Sequence, residues 1–408
     1  MTRHVELIST GAELLIGRTV NSHAHALARA LHPTGLRLSR DTTIPDDPQV
    51  LLGTLKGALE RVDVVVVTGG LGPTSDDITR ETIAAWLDRP LVLDRDASER
   101  IRQACEKRGL EPSQARMRQA LVLEGAVVWP NLTGAAPGEL IEENGKFIVL
   151  LPGPPREMEP ILTQSLVPWI EQQYRLIPPP EHIFLLAGAA EGDIVTLFEK
   201  HHFPPDGIAA AYCASAGTLE IRLSADSPVL LKGAADTVRG LLGDAVFAEE
   251  RTSLEAVAGR MLAEKKLTLA TAESCTGGLL GSRITNVSGS SAYYLGGVVA
   301  YDNRIKIQLL GVSEDTLAGY GAVSPQTAKQ MAEGVRQRLG ADFGIGITGI
   351  AGPAGGTAEK PVGLVYIALA DDGQTKVREC RLSSNREFVR FMSTQLALDM
   401  LRLRLMQK

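Results

Sequence analysis

The apolar positions of roughly the first 170 residues alternate between strand-like and helix-like spacing. Val5–Thr10 is a short apolar run that ends at Gly11, and Val62–Thr68 is apolar on both faces and rich in valine. A run that is apolar on both faces is typical of a central parallel strand. Helix-like segments follow these runs, so the pattern predicts a βαβ order and a largely parallel sheet.

Capping and breaking residues mark the boundaries of the predicted helices. Asn21, a good N-cap, opens a helix that stops at the break Pro33–Gly35, and a second helix is predicted from about residue 77 to 88. The pattern ELIEENGKFIVLL predicts a hairpin whose tight turn is Asn144–Gly145. A further helix opens within PGPPREMEP and ends near Gln173.

Three consecutive prolines in residues 174–181 stiffen the chain and stop any helix, which predicts a linker. Residues 182–250 form a smaller α+β segment that contains the alternating strand TLEIRLSA. A capped helix at Ser253 then restarts the alternation of strands and helices. We therefore predict an α/β protein of three domains, residues 1–173, 174–250 and 251–408.

The composition of the 408 residues narrows the class of protein. Apolar residues make up 44% and charged residues 22% of the chain, as in globular proteins. The net charge of −6 argues against nucleic-acid binding, although helix N-termini and a few arginines still bind small anions. The four cysteines lie far apart without a C-x-x-C pair, and the chain shows neither a signal-peptide pattern nor an apolar run of roughly 18 residues. We therefore expect a cytoplasmic protein without membrane partners.

The segment LTLATAESCTGGLLGSRIT predicts a strand, a sharp turn and a helix, with Ser274 where the turn meets the helix. Free N–H groups around Thr276, Gly277 and Gly278 can hold a phosphate or a developing oxyanion. Taken alone, the motif is equally well explained as an N-cap followed by a tight turn, because such turns are common.

Other polar residues stand at predicted strand ends or on a helix of the same region. In an open α/β sheet the carboxyl ends of parallel strands converge, so we expect these groups to face one ligand together with Ser274. For each of them singly, a core, surface or helix-face role is the simpler explanation. The residues are Glu273, Tyr301, Asn303, Lys306, Thr348, Gly349, Arg386 and Arg390.

The region after residue 202 contains no histidine, which excludes a Ser-His-Asp triad drawn from within this domain. A serine nucleophile then needs another base, and a buried lysine with a lowered pKa is the known substitute. Lys306, which follows a strand end, is the best-placed candidate. Cys275 is a rival nucleophile, but a neighbour of Ser274 at this turn points elsewhere and free cysteines are often simply buried.

The first region carries a second set of polar groups around its glycine-rich turns. Glu13 and Asn21 flank the turn after the first strand, and GGLGPTSDDITRE places Gly70, Gly72, Thr74, Asp76 and Asp77 after another strand. Glycines allow close approach of a phosphate, and the carboxylates of Asp76, Asp77 and Glu13 can hold a divalent cation that bridges phosphates. The alternative is a polar, capped loop between strand and helix.

Four ordered motifs of the last region resemble the C-terminal domain of the CinA family, the nicotinamide-nucleotide amidases also called PncC. They are AESCTGG, Y-x-N-x-x-K at 301–306, TGIAGP at 348–353 and NRExVR at 385–390. The resemblance implies hydrolysis of nicotinamide mononucleotide to nicotinate mononucleotide and ammonia without a cofactor. It implies that Ser274 is the nucleophile, Lys306 its base and Tyr301 an orienting group, with the oxyanion site at Thr276 to Gly278 and the phosphate on Arg386.

The first region resembles the molybdopterin-binding fold, a three-layer α/β domain, in its CinA version. The matching motifs are TGAELLxG at 10–17, GGLGPTSDDITRE at 69–81, NLTGAAPG at 131–138 and LPGPPREM at 151–158. The resemblance implies a metal-dependent pyrophosphatase that splits ADP-ribose into AMP and ribose 5-phosphate. It implies metal and phosphate binding by Asp76, Asp77 and Glu13, with Asn21 and Glu157 nearby. Ala135 stands where this family usually has threonine, which would weaken the site if that hydroxyl contacts a phosphate.

The segment 182–250 resembles the KH-type module that lies between these two domains in CinA proteins. Its sequence GAAEGDIV lacks the spacing and the charge of an RNA-binding GXXG clamp. We interpret the module as a spacer or dimerisation element and expect a homodimer, the commonest oligomer.

Two alternatives to a bifunctional salvage enzyme remain open at this point. One is a binding or regulatory protein linked to competence or recombination. The other is a first domain that handles a molybdopterin-type cofactor, since a fold does not determine a function.

Overall fold

The chain folds as two units, Met1–Pro179 and Pro180–Lys408. The computed structural model describes residues 4–178, 180–215 and 217–407. The division falls inside the proline-rich stretch 174–181 that the sequence predicts to be a linker.

The first unit alternates strands and helices along the chain. Its strands are β1 His4–Thr10, β2 Arg37–Ile44, β3 Val64–Thr68, β4 Leu91–Leu93, β5 Leu121–Leu123, β6 Val127–Trp129, β7 Gly138–Glu143 and β8 Lys146–Leu151. Its helices are α1 Ala12–Leu15, α2 His23–Leu31, α3 Pro48–Arg61, α4 Thr79–Leu87, α5 Arg95–Glu106, α6 Gln114–Arg118, α7 Pro155–Ile161 and α8 Val167–Tyr174.

The main sheet of this unit has the order β2-β1-β3-β8-β7-β6, parallel from β2 to β8 and antiparallel beyond. All five residues of β3 are buried. Because side chains alternate between the faces of a strand, Val64 and Val66 pack with α2 and α7 while Val65 and Val67 pack with α3 and α4. Helices therefore cover both faces, which confirms the three-layer domain predicted from the sequence.

The predicted hairpin is present between β7 and β8. Glu143 pairs with Lys146, and the turn residues Asn144 and Gly145 both have positive φ, 52° and 75°. Asparagine and glycine tolerate this conformation best, which is why the dipeptide determines the turn.

An insert comprising residues 91–123 interrupts the main sheet. Its strands β4 and β5 pair antiparallel, Leu91 opposite Leu123, and enclose α5 and α6 between them. Buried residues of α5, among them Ala97 and Ile101, form a small core with Ala120. The insert thus has its own packing and carries α5 beside the main sheet.

The second unit contains two sheets. Its strands are β9 Glu181–Ala187, β10 Ala209–Ser215, β11 Thr218–Ser224, β12 Val246–Ala248, β13 Leu269–Glu273, β14 Tyr294–Val299, β15 Phe343–Gly349, β16 Leu364–Ala370 and β17 Thr375–Arg381. Its helices are α9 Glu191–Lys200, α10 Pro228–Leu242, α11 Leu254–Lys265, α12 Leu279–Thr285, α13 Asn303–Leu310, α14 Glu314–Tyr320, α15 Pro325–Leu339 and α16 Arg386–Gln407.

The four-stranded sheet of the middle segment, β10-β11-β9-β12, is antiparallel throughout. Leu185 on β9 and Phe247 on β12 belong to the same core cluster as Leu254 and Leu401 of the following region. Gln395 on α16 also donates to the carbonyl oxygen of Gly217 at 3.2 Å. The middle segment therefore shares a core with the region that follows it.

The larger sheet, β14-β13-β15-β16-β17, departs from the expected alternation of strands and helices after β15. Its first three strands are parallel, but β16 and β17 are antiparallel. A turn of residues 371–374 joins them, in which Asp371 accepts from the N–H groups of Gly373 and Gln374. A connection this short can join only antiparallel strands. In the described ranges, no helix has both the length and the apolar character needed to cross a bilayer.

Candidate functional sites

The carboxyl ends of three neighbouring parallel strands meet in the second unit. β13 ends at Glu273, β14 at Val299 and β15 at Gly349, in the sheet order β14-β13-β15. The sequence-based expectation that these strand ends converge at one edge is therefore confirmed.

Ser274 lies in a tight turn between β13 and α12. Its N–H donates to the carbonyl oxygen of Ile347 at 2.9 Å, and its own carbonyl accepts from the N–H of Gly277 at 3.1 Å. Gly277 and Gly278 have φ of 61° and 90°, values that glycine adopts without the clash of a Cβ. The backbone thus holds Ser274, which is 9% exposed, at the edge of the sheet.

Glu273 directs its carboxylate at the start of α12 and not at open space. It accepts from the N–H groups of Gly278 at 3.1 Å, Leu280 at 3.0 Å and Gly281 at 2.8 Å. A carboxylate is favourable there because the first N–H groups of a helix have no partner within the helix. Glu273, expected to bind substrate, instead fixes the helix next to Ser274.

These bonds change the expected oxyanion site. The N–H of Gly277 is engaged by Ser274 and that of Gly278 by Glu273. Of the three expected donors, Thr276 alone keeps an N–H without an acceptor among the residues that the structure describes. Its buried hydroxyl also lacks a partner.

Lys306 is 1% exposed and has no carboxylate bonded to its amine. Nζ donates to the carbonyl oxygens of Ala300 at 2.8 Å and Tyr301 at 3.1 Å. Burial lowers the pKa of Lys306, against a weaker opposing effect of Asp302. A neutral amine has two N–H groups, and both have acceptors here, so its lone pair is free to take a proton. Within the described chain, Nζ forms no hydrogen bond with the hydroxyl of Ser274.

Cys275, the rival nucleophile, is buried and its thiol is poorly activated. Burial raises the pKa of Cys275 to about 12. The thiolate is the reactive form of cysteine, so the thiol at this position is inert near neutral pH. Burial of the thiol therefore argues against Cys275 as the nucleophile.

Two arginines of α16 hold the loops around Ser274. Arg390 donates twice to the carbonyl oxygen of Thr276, at 3.2 and 2.7 Å. Arg386 donates to the carbonyl oxygen of Gly352 at 2.8 Å and to the hydroxyl of Tyr301 at 3.4 Å. The structure thus brings Arg386 and Tyr301 together, and Tyr301 is 63% exposed.

Three other expected binding residues of this site have different surroundings. The hydroxyl of Thr348 donates to the carbonyl oxygen of Ala322 at 2.7 Å. A Cβ on Gly349 would lie 2.7 Å from the carbonyl oxygen of Leu364, so this glycine serves strand packing. Asn303 is exposed at the start of α13, and the described residues offer its side chain no hydrogen bond.

A second site lies in the first unit, at the carboxyl ends of β1, β3 and β8. A cavity of about 880 Å³ opens there. Both acidic and basic side chains line it. The acidic residues are Glu13, Asp46, Asp76, Asp77 and Glu157, and the basic residues are His23, Arg100, Arg108 and Arg156.

The glycine-rich loop of this cavity is packed against its own carboxylate. Asp77 accepts from the N–H of Thr74 at 2.9 Å and from its hydroxyl at 2.5 Å. A Cβ on Gly72 would lie 2.5 Å from Asp77 Oδ2, and one on Gly70 would collide with the side chain of Thr79. Gly70 and Gly72 line the cavity, whereas Thr74 does not.

Asn21 has a structural role. Its side chain accepts from the N–H of His23 at 3.0 Å and donates to the hydroxyl of Thr43 at 3.1 Å, and it does not line the cavity. Glu157 does line it and accepts from Asn131 at 2.9 Å. Ala135 also lines the cavity, and its side chain packs against the core of the insert.

Asp46 is a cavity residue that sequence reasoning missed. It accepts from the N–H of Ala12 at 3.0 Å. Burial raises the pKa of Asp46, and so do the charges of Glu13, Asp76 and Asp77, against that N–H bond. The available signal was its position two residues beyond the end of β2, the neighbour of β1 in the sheet.

A divalent cation fits this donor set only in one way. Among the described residues, no three His, Cys, Asp or Glu side chains lie close enough together to hold a metal ion. The expected cluster of Asp76, Asp77 and Glu13 is therefore not assembled in advance. Mg²⁺ is usually bound by one or two carboxylates together with substrate phosphates, and mutually repelling carboxylates at a cavity suit that arrangement.

Comparison with known proteins identifies both units. Residues 6–172 match the family model described as a probable molybdopterin binding domain, and residues 251–405 match that of the CinA C-terminal domain. A CinA-like protein of Dictyoglomus turgidum is 40% identical over 403 residues, covering 97% of this chain and 98% of that protein. The chain belongs to the CinA family.

Two further proteins are similar to this chain. A relative from Moorella thermoacetica is 42% identical over 405 residues, covering 97% of each chain. The crystal structure of the competence/damage inducible protein CihA from Agrobacterium tumefaciens is 41% identical and covers 39% of this chain and 100% of that chain, with a TM-score of 0.36.

Proposed function

We propose that this CinA-family protein is a bifunctional hydrolase of pyridine-nucleotide salvage. Its C-terminal domain hydrolyses nicotinamide mononucleotide to nicotinate mononucleotide and ammonia, and its first unit splits ADP-ribose into AMP and ribose 5-phosphate. The observation that carries the first activity is the position of the buried Lys306 amine. It donates a hydrogen bond to the carbonyl oxygen of Ala300, and the N–H of Ala300 donates to the carbonyl oxygen of Glu273 at 2.8 Å. Glu273 directly precedes Ser274, so the base and the nucleophile are held by one chain of contacts.

In this mechanism Ser274 Oγ attacks the carboxamide carbon while its proton passes to the neutral amine of Lys306. The oxyanion that forms accepts from the free N–H of Thr276. Collapse of the tetrahedral intermediate breaks the C–N bond, and Lys306 returns the proton to the departing ammonia. Water then hydrolyses the acyl-enzyme by the same route, with Arg386 as the phosphate-binding group.

For the first unit, Glu13, Asp46, Asp76 and Asp77 would hold a divalent cation together with the substrate phosphates. The cation, when bound, would neutralise phosphate charge during displacement at phosphorus. The protein's own contribution is the placement of the pyrophosphate in the cavity, where the N–H groups of the glycine loop can approach it.

The amidase is tested by ammonia release from nicotinamide mononucleotide in EDTA. Ser274→Ala and Lys306→Ala should each lose at least ~10³-fold in kcat/KM. Ser282→Ala, an exposed serine of α12, and Cys275→Ala should stay close to the intact protein. Loss in Cys275→Ala with activity in Ser274→Ala would assign the nucleophile to the cysteine. An inactive but folded intact protein would refute the amidase.

The pyrophosphatase is tested by following AMP formation from ADP-ribose with and without added divalent cations. Activity should require the cation and disappear in EDTA. A pterin that binds the first unit more tightly than ADP-ribose would instead support handling of a molybdopterin-type cofactor.

A further inference from the structure

Two arginines at the cavity of the first unit have no acidic partner. Arg100 lies on α5, Arg108 lies just beyond its end, and both line the cavity. Neither side chain forms an ion pair or a hydrogen bond within the described residues. By contrast, three other arginines of this unit form ion pairs: Arg80 with Glu139, Arg89 with Glu143 and Arg118 with Glu81.

The Nε of Arg100 is the more informative atom. It is buried and has no hydrogen-bond acceptor. Most buried donors in folded proteins are hydrogen-bonded, and a guanidinium without a counter-charge is costlier than a neutral donor. Arg100 as a whole is partly exposed and lines the cavity, so an anionic ligand bound there would supply the counter-charge that its guanidinium lacks.

The positions along α5 support the same conclusion. Arg100 and Ala104 are four residues apart on one face of α5, and Arg108 lies in the turn that follows the helix, and all three line the cavity. This face belongs to the insert, residues 91–123, and not to the main sheet.

The cavity therefore has two sets of charged side chains, one acidic and one basic, that are not paired with each other. Glu13 on α1 and Asp46, Asp76 and Asp77 in loops come from the segments that follow β1, β2 and β3, and they repel one another. Arg100 and Arg108 come from the insert. A pyrophosphate with a divalent cation satisfies both sets at once, because the cation needs carboxylates and the phosphate oxygens need donors.

We propose that Arg100, assisted by Arg108, binds the pyrophosphate of the substrate and makes the insert a determinant of specificity for pyrophosphate-linked nucleotides. The inference rests on the proposed function of the first unit. Arginine suits this role because its planar fork can donate two parallel hydrogen bonds to phosphate oxygens.

The test compares the affinities of inorganic pyrophosphate, AMP and adenosine by calorimetry, using the full chain with added Mg²⁺ at low salt. Arg100→Gln should weaken binding of pyrophosphate and AMP about tenfold or more, since hydrogen bonds to charged groups are strong, and leave adenosine unchanged. Arg108→Gln should show a smaller loss of the same kind. Arg100→Lys keeps the charge but not the planar fork, so its affinity for pyrophosphate and AMP should lie between those of the intact protein and Arg100→Gln. It also serves as the test variant if Arg100→Gln folds poorly.

Arg102→Gln is the matched control. Arg102 lies on the same helix, is 52% exposed, sits 3.7 Å from Glu99 and does not line the cavity. An unchanged ratio of the affinities for AMP and adenosine in Arg100→Gln would overturn the proposal. So would intact protein that binds neither pyrophosphate nor AMP. Intact protein that binds pyrophosphate through Arg100 but fails to cleave ADP-ribose would refute the proposed pyrophosphatase and leave the anion site standing.

Discussion

The amine of Lys306 lies 2.8 Å from the carbonyl oxygen of Ala300 and is shielded from solvent. This contact orients the amine without neutralising a charge, because a carbonyl is a weaker partner for an ammonium than a carboxylate. The arrangement therefore lowers the cost of losing the proton. Because burial lowers the pKa of Lys306, its amine loses a proton at lower pH than an exposed lysine does.

The first prediction concerns the pH dependence of ammonia release. Because burial lowers the pKa of Lys306, the neutral and active amine accumulates as pH rises through a value below the ordinary 10.5. The kcat/KM for nicotinamide mononucleotide should rise along that limb and then level off. Lys306→Met should remove the limb together with the activity, whereas Lys329→Met, at a 55% exposed lysine, should keep both. A limb that survives in Lys306→Met belongs to another group.

The second prediction concerns the carboxylate of Glu273. Glu273→Gln leaves one oxygen for three N–H donors and turns an NH₂ group toward them. The free energy of unfolding should fall by roughly 1–3 kcal/mol, measured by urea denaturation of the full chain. The amidase kcat should fall as well, because the turn that holds Ser274 loosens. Glu264→Gln, at an exposed position of α11, should change the stability by less than about 0.5 kcal/mol. Unchanged stability in Glu273→Gln would contradict the anchoring role.

A third prediction addresses Asp46 and the cation. Asp46→Asn removes one of the five carboxylates that line the cavity, so the metal concentration that half-saturates ADP-ribose hydrolysis should rise about tenfold or more. The KM for ADP-ribose at saturating metal should move much less. Asp96→Asn, an exposed aspartate of α5, serves as the control. An unaltered metal requirement in Asp46→Asn would mean that Asp46 does not bind the cation and that its role is to accept the hydrogen bond from the Ala12 N–H.

The fourth prediction tests the buried pair of Arg80 and Glu139, whose side chains are 1% and 0% exposed and 3.0 Å apart. Arg80→Met leaves the Glu139 carboxylate buried without its cation, which should cost about 3–5 kcal/mol of unfolding free energy. Burial already raises the pKa of Glu139. The charge of Arg80 lowers the pKa of Glu139, so removing Arg80 should raise that pKa further, and the deficit should shrink as pH falls through the pKa of Glu139 in the variant. A deficit independent of pH would indicate lost packing as its cause.

Much of the fold was predictable from the sequence because local chemistry determines it. The valines of β3 are apolar at every position, so both faces of this strand are buried whatever covers them. Asn144 and Gly145 select their turn through their tolerance of positive φ. The same holds for Gly277 and Gly278 beside Ser274.

Other features required the folded chain because they depend on residues far apart in sequence. Asp46 joins the cavity 33 residues after Glu13, since β2 lies beside β1 in the sheet. The antiparallel pairing of β16 with β17 depends on a short turn, and that of β15 with β16 depends on the segment 350–363. The apolar pattern of the strands reveals neither.

By itself, the sequence determined which elements form and which chemistry is excluded, above all a histidine base within the C-terminal domain. Only the tertiary structure decided which polar groups form hydrogen bonds within the protein and which have no partner there. Glu273 gives its carboxylate to a helix, Asn21 gives its amide to a strand, and Arg100 keeps an unpaired donor at a cavity. Side-chain direction and partner depend on packing between distant segments, and no local pattern specifies that packing.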